Sequence, residues 1–282
     1  GDGRELFAEY GQYQSEYNGN RHSVSHFSSV KFVVPATNPY NFTGKALLMD
    51  NYRFVDAGAR VVDNDKQTDR YLVGVRGQTD DGWDWESAAS YSVAEAFDVT
   101  HNRVSNTLMD ALLHRTDETA YNPFNGGGVY QTGFVSHNPV DYTPGGIGPA
   151  LVDAYRANER TMTTLDFRMS KPDVFTITGG DVGMAFGVEA RNDTFMDDRD
   201  PRLDGTIVFT ERRTNGQLST SAGDTYPYVS DLANSSPTPD NDGARNVNSV
   251  YLEFDVPLVS PEMNIPVVEQ FDLQLAYRQD CL

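Results

Sequence analysis

The chain is short of the residues that most often announce a mechanism. It has one cysteine, Cys281, so it has neither an internal disulfide nor a CxxC pair for zinc or thiol redox chemistry. Basic residues are scarce: 22 Lys and Arg stand against 41 Asp and Glu, a net charge of −19. Nucleic-acid affinity needs clustered cations to displace counterions, so nucleic acid is excluded as a partner. Long apolar runs are missing too. No stretch approaches the roughly 20 residues of a membrane helix, and Gly1 to Tyr10 has no signal-peptide pattern, so only a β-barrel would place this chain in a membrane. Nucleophile elbow, phosphate loop, HExxH and calcium-loop motifs are all absent. The five histidines, His22, His26, His101, His114 and His137, are scattered, and His22 and His26 sit among serines that read as loop or strand. An enzyme is not expected.

What is present suits strands and turns. Aromatics reach 11%, with 15 Tyr and 15 Phe beside 24 Gly, which predicts an all-β protein. Period-two alternation recurs in segments of about ten residues. Val182, Met184, Phe186, Val188 and Ala190 fall on one face of a strand, and Gly183, Ala185, Gly187, Glu189 and Arg191 on the other. The same division runs through Val250 to Leu258, Phe271 to Arg278 and Leu165 to Met169. A soluble sandwich alternates in this way as well, so loop lengths have to arbitrate. Asp80, Asp81 and Gly82 make a tight turn, whereas the next connection spans about Val93 to Thr161. Lys171 to Asp181 and Ser260 to Glu269 are brief links, and Asn192 to Asn246 is another long polar excursion. Alternating short and long connections are the habit of outer-membrane barrels, with short periplasmic turns and long external loops. Within the long loop, Val99 to Leu113 and Ile147 to Arg160 have helix-like spacing, with Leu108, Ala111 and Leu112 near one face. Trp83, Trp85 and Tyr71 stand where strands would meet the membrane boundaries, although cross-strand aromatic packing explains them equally well.

Two stretches resemble hairpins of TonB-dependent outer-membrane receptors. The first is Thr164-Leu165-Asp166-Phe167-Arg168 followed by Gly179-Gly180-Asp181-Val182 and onward through Gly187-Val188-Glu189-Ala190-Arg191. The second is Asn246 to Arg278, with its Val256-Pro257-Leu258 step and its Leu273-Gln274-Leu275-Ala276-Tyr277-Arg278 strand; Gly82-Trp83-Asp84-Trp85-Glu86 looks like a third strand start. The resemblance covers about half the chain and implies a fold: residues 1–282 would be part of an antiparallel transmembrane barrel of 22 strands, with long extracellular loops containing short helices. It also implies a Gram-negative outer-membrane location and uptake of a scarce solute, such as a siderophore, oligosaccharide or peptide. The implied partners are outer-membrane lipid, the TonB system, and plug and barrel segments not found here, since no plug domain, TonB box or terminal barrel strand is recognisable.

Candidate residues follow from these readings. The lumen-facing set is Asp166, Arg168, Glu189, Arg191, Glu253, Asp255, Asp272 and Arg278, read more readily as structural lining and ion pairing than as substrate contact. Tyr121, Phe124, Tyr130, Phe134, Tyr142 and Tyr155 are external-loop aromatics that either stack on a ligand or pack the loop. Asp197, Asp198, Asp200 and Asp204, with Asp240 and Asp242 nearby, form oxygen clusters of a kind that can hold calcium. They lack calcium-loop spacing and include Arg199 and Arg202, so a solvated acidic turn is the commoner reading, and no cofactor is required. Two rivals to the transporter are a soluble secreted β-sandwich binding carbohydrate with calcium, and a glycan-cleaving enzyme using paired carboxylates such as Glu189 and Glu253.

Overall fold

The computed structural model describes residues 3–20, 26–28, 30–124, 144–212 and 229–281. Thirteen strands appear among them: β1 (Glu5–Asn20), β2 (His26–Ser28), β3 (Phe32–Val34), β4 (Leu47–Met49), β5 (Tyr52–Phe54), β6 (Val61–Gln78), β7 (Asp84–Val104), β8 (Leu151–Ile177), β9 (Gly180–Arg199), β10 (Val208–Phe209), β11 (Val229–Ser230), β12 (Asn241–Val259) and β13 (Phe271–Cys281). Seven of them, all long, form one antiparallel sheet in the order β1-β6-β7-β8-β9-β12-β13. The other six make three small two-stranded sheets, and the helices are α1 (Asn106–Leu113) and α2 (Pro201–Asp204). No helix among the described residues is long and apolar enough to cross a membrane.

Every short link of the large sheet lies at one end, here the turn end: β6 to β7 through 79–83, β8 to β9 through 178–179, and β12 to β13 through 260–270. The long connections 21–60, 105–150 and 200–240 all leave the opposite, loop end. The strands outrun their expected limits. β7 continues to Val104 and β8 begins at Leu151, so much of the stretch expected as loop is strand, and β8 runs on through Lys171 to Ile177. Of the two helix-like stretches only the first holds a helix. Ile147 to Arg160 instead becomes a single 3-10 turn and the start of β8, because the residues from Leu151 to Arg160, the irregularity at Asp153 aside, find ladder partners on β7 or β9. In α1 the buried side is Met109, Leu112 and Leu113; Leu108 is partly buried, while Ala111 faces away from that core.

Register partners across an antiparallel pair share a face. One row runs Ala8, Val73, Ala89, Leu165, Ala190, Asn248 and Cys281. The side carrying that row is apolar toward the turn end, with Leu6, Val75, Val73, Leu165, Phe167, Val188, Phe186, Val250, Leu252 and Leu275. No second sheet among the described residues covers it, although the Trp83 ring of the 79–83 turn lies 6.0 Å from that of Phe186: Leu6 is 74% exposed, Leu165 58%, Val188 48% and Leu275 52%. Toward the loop end the same side turns acidic, through Asp69, Asp65, Asp63, Glu95, Glu159 and Asp198. Between the two zones Tyr10, Tyr71 and Tyr91 sit side by side as register partners, with the Tyr10 and Tyr71 rings 5.1 Å apart.

The band also slants. Its middle is Ala8 in β1, Phe186 in β9 and Leu275 in β13, which is zero, four and six residues back from the row after zero, four and six strand steps. One residue per step is ~3.3 Å against a strand spacing of ~4.8 Å, a tilt of about 35°.

Opposite this band lies a charged side on which glycines are covered by aromatic rings from the paired strand. Phe7 lies over Gly74, Tyr251 over Gly187 and Phe195 over Gly243. A Cβ at Gly243 would stand 2.7 Å from the Phe195 ring, so these positions take only glycine while the rings lie flat.

Candidate functional site

The eight charged residues expected to share a face do so: Asp166, Arg168, Glu189, Arg191, Glu253, Asp255, Asp272 and Arg278 all fall on the side opposite the apolar band. Most of their charge is spent on neighbours. Arg168 donates to Glu86 at 2.6 Å, Arg191 lies 3.8 Å from Glu189 and 3.3 Å from Asp193, and Arg278 pairs with Asp280 at 3.0 Å while donating to Ser249. Glu253 accepts from Gln274, and Asp272 from Gln270. Farther toward the loop end Arg156 grips Asp197 with two parallel bonds of 2.7 and 2.8 Å. Near the turn end the same side holds a groove of about 650 Å3 lined by Glu5, Arg76, Asp84, Glu86, Arg168 and Tyr251. Its opposed charges suit a polar guest. Glu189 and Glu253 are not a catalytic pair in this arrangement. The register partner of Glu189 is Ser249, four residues from Glu253, so the two backbone positions stand about 13 Å apart along the strand, whereas a glycosidase pair needs its carboxyl groups within ~10 Å.

The calcium candidates also have partners. Asp197 is held by Arg156 and by Arg199 at 2.7 Å, Asp200 caps α2 by accepting from the Arg202 backbone N–H, and Asp204 accepts from that of Thr206. Asp198 lies on the acidic zone of the other face. Among the described residues no group of three or more His, Cys, Asp or Glu side chains is arranged around a common point.

The three long connections fold together at the loop end. Phe32, Val34, Met49 and Phe54 from the first, Val104, Met109, Leu112, Tyr121, Ile147 and Ala150 from β7 and the second, and Phe209 and Ala233 from the third make one apolar cluster. Phe32 packs 6.1 Å from Phe54 and 5.5 Å from Phe209, so rings from two connections interlock. Polar ties cross the same boundaries. Buried Asn38 donates to the carbonyls of Leu113 and Tyr121, and Arg103 donates to the carbonyl of Ala233. Asp231, fully buried, accepts from the Ser105 hydroxyl at 2.7 Å, the Thr107 backbone N–H at 2.9 Å and the Arg202 guanidinium. Its charge thus sits at the N-terminus of α1, where unpaired N–H groups favour an anion. Nothing local in the sequence marks Asp231, because its partners come from two other stretches, the start of α1 and the turn of α2.

This cap settles where the loop aromatics stand. Tyr121 is fully buried inside it, donating to Asp56 at 3.2 Å, so its ring is not offered to a ligand. Tyr155 belongs to β8, stacked 6.2 Å from Phe97 at 19°. Phe124 is exposed and packs 5.1 Å from Phe42, itself 82% exposed and not marked by the sequence reading. Tyr130, Phe134 and Tyr142 lie outside the described residues.

Burial holds the Tyr121 hydroxyl proton well above its ordinary range, and burial likewise pushes Tyr52 up to about 12. A folded-state pKa above the unfolded value of about 10 gives stability that is complete below pH 10 and lost as pH climbs toward 12. Absorbance titration at 295 nm is therefore expected to keep Tyr52 and Tyr121 protonated until the cap melts near pH 12. All 15 tyrosines titrating together near pH 10 would show that the cap is not formed.

In class, then, the protein is an antiparallel up-and-down sheet with one apolar and one charged side, capped at one end by its own long connections. No family model, no curated protein and no solved structure matches the chain.

Proposed function

We propose that this chain is part of an outer-membrane β-barrel of the kind the TonB-dependent receptors represent, whose external cap admits a scarce solute while its inner wall is polar. The observation that carries the reading is the uncovered apolar band, since a sandwich would bury that face under a second sheet. Three further features support it. The β12 part of the band, Val250 to Leu258, is about 26 Å along the strand and, at a 35° tilt, about 22 Å tall, close to the ~25 Å apolar girdle of such barrels. Short links share one end and long connections the other. A row of tyrosines borders the band on the loop side across β1, β6 and β7, and Trp85 stands on the same face by the turn, as aromatic belts do at headgroup level. Solute uptake and the TonB system rest on the hairpin resemblance, with Phe42 and Phe124 as the exposed cap aromatics best placed to meet a solute first.

The two tryptophans make a direct test. In vesicles of acyl-chain-brominated lipid the emission of Trp83 and Trp85 is expected to fall at least twofold relative to unbrominated lipid. A monomer soluble without detergent whose emission ignores bromine sinks the proposal.

A further inference from the structure

The large sheet and its cap meet at a two-residue joint in β7. That strand pairs with β6 as far as Thr100, and with β8 as far as Thr100 and again from Arg103, so His101 and Asn102 stand outside both ladders. Asn102 adopts a left-handed backbone, φ 58°, and its side-chain amide donates to the Ala59 carbonyl at 3.0 Å. Directly beyond the joint, Arg103 donates to the Ala233 carbonyl, Val104 enters the cap core and the Ser105 hydroxyl donates to Asp231. Whatever fixes the angle of this joint therefore fixes the cap on the sheet.

The imidazole of His101 spans it. Nε2 lies 2.8 Å from an oxygen of Asp63 on β6, and Nδ1 lies 2.9 Å from an oxygen of Asp153 on β8. Ionised carboxylates only accept and a neutral imidazole has a single N–H, so both bonds exist together only when the ring is charged. Partial burial favours the neutral ring, but the bonds to Asp153 and Asp63 and the charges of those carboxylates outweigh it, holding the His101 pKa above its ordinary value. The Asn18 amide and then His101 hold the Asp63 carboxyl below the usual carboxylate range. The joint lies well past Tyr91 and the apolar band, in the acidic zone of that face. Other titratable groups near it on this face are Asp65 of β6, Glu16 of β1 and Tyr155 of β8, and no lysine or arginine of those strands shares the face toward the loop end. From the cap side the 55–60 turn brings Asp56, bonded to Tyr121, and Arg60.

We infer that this joint is a proton-operated clasp: a charged His101 ties β6 and β8 across the break in β7 and holds the cap to the sheet, and loss of its proton opens one bridge and loosens the cap. A neutral ring keeps its N–H for one carboxylate and turns a lone pair toward the other, which repels it. Because the folded pKa is raised, the contribution is complete below the ~6.5 of an unfolded histidine and is lost as pH rises through the folded value. The cap is therefore tightest in mildly acid water and slackens at a far lower pH than the one at which its buried tyrosines ionise.

Two measurements on the full chain test the clasp. Nitrogen-15 NMR of ring-labelled histidine, with His101 assigned by its loss in His101→Gln, is expected to show this ring titrating at higher pH than the ~6.5 of a free imidazole. Amide exchange of α1, β3 and β4, corrected for the intrinsic effect of pH, is expected to rise about tenfold from about pH 6 to about pH 9, while β9 stays unchanged. Asp153→Asn separates the clasp from any other titration, because an amide offers its oxygen to an N–H or its NH2 to a lone pair and so accepts either ring. Its step is expected to fall below about twofold. A His101 ring that titrates at or below ~6.5, an unaltered cap without the step, or a step that survives in Asp153→Asn overturns the clasp. The exchange step is read on the unaltered chain, so a variant that fails to fold leaves the test standing.

Discussion

Arginine at Val188 is expected to stop this chain from assembling in a bilayer, while arginine at Ser90 leaves assembly almost unchanged. Val188 sits within the apolar band, half exposed, between register partners Phe167 and Val250. A guanidinium there must face hydrocarbon, which costs about 2–4 kcal/mol near the midplane of a membrane barrel. Ser90 lies on the opposite side, its register partners Leu72 and Thr164, in a surface already carrying Arg168, Arg191 and Arg70. A further cation on that side meets water and nearby carboxylates, so the expected cost is under ~1 kcal/mol. Urea titrations of the two variants in vesicles measure the difference. Equal midpoints would mean that the two faces do not see different solvents, and the membrane assignment would fall with that result.

The second large effect belongs to the cap. Replacing Asp231 by alanine removes the acceptor for the Ser105 hydroxyl, the Thr107 N–H and the Arg202 guanidinium at a point with no access to water. Breaking a buried ionic contact while its partners remain costs about 3–5 kcal/mol. The loss is local, because the cap core consists mostly of loop residues, with the large sheet contributing the end of β7 at Val104 and the start of β8 at Leu151. Amides of α1 and of β3 and β4 are expected to exchange more than 100-fold faster, at ~1.4 kcal/mol per tenfold, with those of β8 and β9 unchanged. Asp231→Asn keeps an acceptor for the Thr107 N–H and is expected to lose less. If exchange in α1 moves by less than threefold in the alanine variant, the third connection does not anchor the second through this residue.

Together these expectations separate what holds the protein from what it offers. The charged side satisfies itself through Arg168 with Glu86, Arg156 with Asp197 and Arg245 with Asp193, so it is a lined wall. On the proposed transport reading, a guest would meet the exposed Phe42 and Phe124 pair at one end of the strands and the groove near the turn end at the other. A solute crossing from cap to groove would travel along the charged side.

The sequence by itself determined the middles of five long strands, β7, β8, β9, β12 and β13, the two faces of the last four, and the alternation of short with long connections. Side chains two residues apart share a face whatever the strand pairs with, so Val182 to Arg191 and Val250 to Leu258 could be divided correctly from one stretch alone. Only the tertiary structure decided register, slant and the fate of the loops. Whether Leu151 to Arg160 is helix or strand depends on partners fifty residues away in β7, and Tyr121 is a core residue only because Phe54, Asp56 and Leu112 arrive from elsewhere in the chain. The same holds for Asp231, whose role is set by Ser105, Thr107 and Arg202. Periodicity is a local property carried by each strand, whereas hydrogen-bond register and a shared core exist only between segments distant in sequence.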